Sequence, residues 1–164
     1  MPIFRTFLSS IVVGFAMLVA ASGAHAQAPL GEPLFAVLNG GNECDGAGVC
    51  RKGDLDAIGS ATILFPAPLT SPNSRICWAI TADNLAQIPT TAAHIHRGTA
   101  GLNGGIVVTL TPPNAPAAGN PGTSSGCTTA STAIINQIRM DPTSFYVNVH
   151  NGNFPNGAIR GQLH

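Results

Sequence analysis

Phe145-Tyr146-Val147-Asn148-Val149-His150 decides how this chain is read. Side chains alternate between the two faces of an extended strand, so residues two apart share a side. Phe145, Val147 and Val149 therefore make an apolar face, and Tyr146, Asn148 and His150 a polar one. The same parity recurs in Ala92 to His96, where Ala93 and Ile95 oppose His94 and His96. It recurs again in Ala158 to Leu163, where Ile159 and Leu163 oppose Arg160 and Gln162. Each of these strands carries one greasy side and one side dense in hydrogen-bonding groups.

Working outward, Leu34 to Leu38, Asp56 to Phe65, Arg75 to Ala82 and Ile106 to Leu110 read as further strands, bounded by Pro, Gly and Asn. Asn103-Gly104 is a turn signal that delivers the chain into Ile106. Thr111 to Gly126, made of Pro, Gly, Ala, Asn and Ser without periodicity, is expected as one long surface loop. Thr129 to Met140 is the expected helix, with Ile134, Ile135 and Ile138 on one face and Asp141-Pro142 as its stop. The expected fold is all-β: an antiparallel sandwich or barrel of about seven to eight short strands with one short helix.

The 164 residues hold 7 basic and 7 acidic side chains and only 9% charged residues. That balance, with no basic run, excludes the electrostatic footprint of a nucleic-acid binder. Met1 to Ala26 has the form of an export signal, with Arg5 before a short apolar run and Ala24-His25-Ala26 as a cleavage site. Residues 27–164 are then one secreted or periplasmic domain without a second membrane-length stretch, expected as a monomer. Export places the four cysteines, Cys44, Cys50, Cys77 and Cys127, in an oxidising compartment. Three pairings are open, and Cys44–Cys50 with Cys77–Cys127 is favoured because the first closes a tight Gly-rich loop. No Cys or Cys/His spacing supports a zinc knuckle.

His94, His96 and His150 are the candidate metal ligands. Imidazoles at i and i+2 can turn onto one ion, and His150 joins them if its strand is a neighbour. Copper or zinc is the metal such nitrogens suit. The competing reading is a polar network, in which Glu43, Tyr146, Asn148 and Arg160 hold the histidines and the Gly-rich loops in place. Arg160 repels a cation unless a carboxylate such as Glu43 neutralises it. Trp78 is expected in the core beside the Cys77 bridge. No nucleophile elbow, phosphate loop, dinucleotide fingerprint or zinc-protease motif is present, so no catalytic residues are assigned.

Three segments resemble the CHRD domain, the module named after chordin. They are Phe35-Ala-Val-Leu-Asn-Gly-Gly-Asn-Glu43; Ala93-His-Ile-His-Arg-Gly98 with Asn103-Gly104 and Val107-Val108; and Phe145 to His150 followed by Gly157-Ala-Ile-Arg-Gly-Gln-Leu163. The resemblance runs from Leu34 to Leu163 and implies a single domain of immunoglobulin-like character. It implies no enzyme activity and no settled biochemical role. The growth-factor-binding modules that accompany the domain in chordin are missing from this sequence, so antagonism is not carried over. Cys44 to Cys50 departs from the usual turn after Glu43. The expected function is a non-catalytic binding or interaction module, its partner an unknown protein or small ligand. The alternative is a copper- or zinc-binding protein.

Overall fold

A computed structural model describes residues 29–85, 89–114 and 121–164. The proposed export signal lies outside the described residues. Eight strands form one sheet: β1 (Leu34–Asn39), β2 (Ile58–Leu64), β3 (Asn73–Asp83), β4 (Thr90–Arg97), β5 (Ile106–Leu110), β6 (Gly122–Ser131), β7 (Phe145–Asn151) and β8 (Ile159–Gln162). Among the described residues a single α-helix, α1 (Thr132–Met140), follows β6. The strand order is β5-β4-β7-β8-β1-β2-β3-β6, and each pairing with an assigned register is antiparallel.

The sheet curls until its two edge strands nearly meet. Asn114 N–H donates to Thr123 O at 3.1 Å, Thr123 N–H returns a bond to the Asn114 side chain at 2.6 Å, and Ser124 Oγ donates to Thr111 O at 2.6 Å. Such closure hides edges that would otherwise present unpaired backbone groups. The interior takes one parity of every strand, among them Leu38, Ile63, Ile80, Ile95, Val147 and Ile159, with Ile135 and Ile138 of α1. Burying each such side chain stabilises the fold by about 1.5–3 kcal/mol before ordering costs. The predicted all-β barrel or sandwich, with its strands antiparallel and one short helix, is the observed architecture.

Three local expectations are corrected. Gly122 to Gly126 is not loop, because β6 begins at Gly122 and pairs with β3 from Ala82↔Gly122 to Asn73↔Ser131. Cross-strand pairing overrides a composition that by itself reads as coil. Residues 129–131 belong to that strand, so α1 starts at Thr132 and not at Thr129. Trp78 is buried, but it faces away from the bridge, since Cys77 and Trp78 are adjacent on a strand and point to opposite sides. It packs instead over Gly126, where a Cβ would come within 2.9 Å of the indole ring, and donates from Nε1 to Ser124 Oγ at 3.0 Å.

Both favoured disulfides are formed. Cys77 and Cys127 stand directly opposite one another in the β3–β6 register and are joined, while Cys44–Cys50 closes the loop after β1. Ala158 N–H bonds to Val149 O and Asp54 N–H to Ala158 O, both at 2.8 Å, which seats the β1–β2 connection against the start of β8.

A candidate metal centre on the roofed polar face

Strands β4, β7 and β8 are neighbours, and their register turns the polar parity into a grid. His94 stands beside Asn148 and Asn148 beside Arg160; His96 stands beside Tyr146 and Tyr146 beside Gln162; His150 pairs with Ala92, two residues before His94 and on the same face. The apolar parity of the same strands lines the barrel, so this grid lies on its outer side. It is not left in water, because β7 is buried on both faces. Loops roof it. A register shift between Ile95 and His96 against β5 lets the chain leave the sheet into the Gly98–Gly105 segment.

Arg160 ties that roof down. Only 1% exposed, it donates to Asn103 Oδ1 at 3.0 Å and Leu102 O at 3.1 Å, and lies 3.8 Å from the centroid of the Tyr146 ring. Asn103 in turn donates to Cys44 O at 2.9 Å, joining the 98–105 loop to the disulfide-closed one. Tyr146 stacks on His96 with centroids 4.9 Å apart and planes 4° apart. The ring comes from the strand between β4 and β8, so it stands between guanidinium and imidazole. The charge of Arg160 is met directly by loop carbonyls and an aromatic face, and the carboxyl of Glu43 feels it through space without a hydrogen bond.

The three histidines come together as parity predicts. One ligand-competent atom from each of His94, His96 and His150 lies within 4.8 Å of the others. His94 Nδ1 and His150 Nε2 are 3.3 Å apart, and with the His150 proton on Nδ1 it is His94 Nδ1–H that donates to the His150 Nε2 lone pair. Two nitrogens bound at about 2.0–2.1 Å to a tetrahedral ion are themselves about 3.3–3.4 Å apart, so this pair already has the spacing of two ligands. His96 Nδ1 lies 2.9 Å from Gly104 O, and His150 Nδ1 lies 3.0 Å from Pro155 O. Carbonyls only accept, so both rings carry the proton on Nδ1 and keep an Nε2 lone pair. Fixing a ligand's far nitrogen this way is what metal-bound imidazoles show.

Burial lowers the pKa of all three rings, with mutual repulsion adding to the effect at His94, which falls to about 4. They are neutral at physiological pH, the form that coordinates. His96, 8% exposed, has no hydrogen-bond partner for Nε2. Two other buried atoms on this side are unpaired: Glu43 Oε1 and Asn148 Oδ1, in side chains each 3% exposed. The polar network therefore exists around Arg160, Tyr146, Gln162 and Asn103 and stops short of Glu43 and Asn148.

A model of the CHRD domain matches residues 34–163, nearly the whole described chain. This chain belongs to the CHRD domain family. No curated protein and no solved structure matches it. Within the CHRD domain, the groups that sequence reasoning missed are the carbonyls of Gly104 and Pro155, which set the tautomers of His96 and His150. A carbonyl has no side-chain signature. The Asn103-Gly104 turn marked the place of the first, and nothing marked the second.

Proposed function

We propose that this CHRD domain is an exported, non-catalytic binding module whose ligand is a single copper or zinc ion held by His94, His96 and His150. One observation carries the reading: the far nitrogens of His96 and His150 are tied to backbone carbonyls, leaving two Nε2 lone pairs, and that of His96 is buried without a partner. Three imidazoles leave a tetrahedral ion one further position. The nitrogen-only set does not choose between copper and zinc. Two closed disulfides are compatible with secretion.

Calorimetric titration of untagged, chelator-treated protein with Cu²⁺ and Zn²⁺ tests this reading. One ion per chain is expected, with a rise in melting temperature and at least a hundredfold weaker binding for His96→Ala. No stoichiometric metal and no thermal shift would overturn it. A second reading, an interaction module without an ion, is favoured by the way Arg160 and Asn103 brace two loops over the sheet. Loops on a stiff scaffold are where partners are usually met. The same titration separates the two.

A further inference from the structure

A cavity of about 630 Å³ opens beside the histidine cluster, beneath the disulfide-closed loop. Its lining includes Glu43, His96, Tyr146 and Asn148 from the polar side, with Phe154 and Gly157 from the β7–β8 connection. That volume is in the range of small-molecule sites.

Glu43 and Asn148 are both nine-tenths buried or more, both line the cavity, and each has an oxygen with no partner. Native proteins leave few buried polar atoms unpaired, because each forfeits its hydration for nothing in return. With His96 Nε2, that makes three such atoms among the residues lining one cavity, all able to accept, and they call for a ligand that donates. The rigid setting of Glu43 points the same way. Gly53 and Gly157 press against its side chain so closely that a Cβ on either would lie within 2.6 Å of it. The carboxyl is therefore held in place and not left to swing out to solvent.

Charge narrows the choice. Arg160 borders a different cavity, with Gly41, Asn42 and Gln162, and its own donors are engaged by the loop. Asp45 and Lys52, also in the lining of the larger cavity, neutralise each other at 3.3 Å. The group left to be met in that cavity is an acid. A sugar hydroxyl offers as many acceptors as donors, whereas a protonated primary amine offers three N–H donors, a positive charge and no acceptor.

We infer that the cavity is a second binding site, for a small molecule carrying a protonated primary amine, with Glu43 and Asn148 as its acceptors. The cavity shares His96 with the proposed ion site, but neither Glu43 nor Asn148 is an ion ligand, so the test uses metal-free protein in chelator.

Burial keeps Glu43 protonated up to about pH 8. Metal-free, ¹³C,¹⁵N-labelled protein is therefore titrated at about pH 9, where the carboxyl is ionised and an alkylammonium (pKa about 10.4) still holds its proton. The probes are n-butylammonium, n-butanol and butyrate, and backbone carbon shifts are followed. Saturable shifts around Glu43, Asn148 and Gly157 are expected with the ammonium only. Glu43→Gln keeps the shape and removes the charge, and is expected to weaken the ammonium at least tenfold while the spectrum stays dispersed. Three results would overturn the inference: no saturable shift with the ammonium, an equal or larger response to butyrate or butanol, or unchanged affinity in folded Glu43→Gln. Should that variant not fold, the comparison of the three probes on the unaltered protein decides. Failure here leaves the copper and zinc titration untouched, and failure there leaves this one untouched.

Discussion

A Cβ on Gly157 would sit 2.5 Å from the carboxyl carbon of Glu43 and from both its oxygens. Gly157 also has φ +138°, a backbone setting that side chains rarely tolerate. Gly157→Ala is expected to lose about 2 kcal/mol or more, from strain and overlap together. Replacing Glu43 by Ala in the same chain should recover the overlap portion and leave the strain. Urea unfolding of the two single variants and the double variant measures this coupling. Strict additivity would mean that the two residues do not press on one another.

The buried carboxyl of Glu43 has a consequence for pH. Burial raises its pKa from 4.5 to about 8, and Arg160 offsets this only in part. The unfolded chain releases the proton near 4.5, while the folded protein keeps it until about 8. The folded state therefore loses stability as pH climbs between those values and levels off above them. The upper bound is about 4–5 kcal/mol. The histidines act in the opposite sense, since their lowered pKa values cost stability as pH falls below 6.5. The difference between the unaltered protein and Glu43→Gln isolates the carboxyl. Melting temperatures from pH 5 to pH 8.5 should diverge, with the variant increasingly favoured; parallel curves would contradict the assignment.

Arg160→Lys keeps the charge and removes the planar fork that reaches Asn103 and Leu102 while lying over Tyr146. An ammonium on a flexible stem cannot reproduce that geometry. A loss of about 2–4 kcal/mol is expected, together with faster amide exchange in the 98–105 loop. Equal exchange rates would show that the loop is held by something else.

The two bridges should differ in worth. Cys77–Cys127 spans 50 residues and Cys44–Cys50 spans 6. The chain-entropy model assigns them about 4 and about 2 kcal/mol. Paired Cys→Ala variants, compared by denaturant midpoint, should show the long bridge dominating. The short one should chiefly change the cavity, because Cys44 O anchors Asn103.

Strand parity made His94, His96 and His150 legible as a cluster before any coordinates, since alternation follows from the pleat alone and needed only that β4 and β7 be neighbours. Cys77 and Cys127 were legible for a related reason: few pairings were available. The strand at Gly122 to Gly126 was not, because Thr, Ser and Gly in it owe their extended form to β3 and carry no apolar alternation of their own. Nor was the depth of Glu43 visible. A carboxylate in a Gly-rich turn looks solvated until the β7–β8 connection is folded against it.

The brace and the proposed binding face occupy separate arcs of the barrel. The long disulfide clamps β3 to β6, whereas the histidines, Asn148 and Arg160 sit on β4, β7 and β8. An attachment made on the outer side of β3, at Arg75 or Ala79, therefore leaves the other arc unobstructed. The domain can be moored to a bead, dye or carrier from its reinforced flank, away from the roofed histidines.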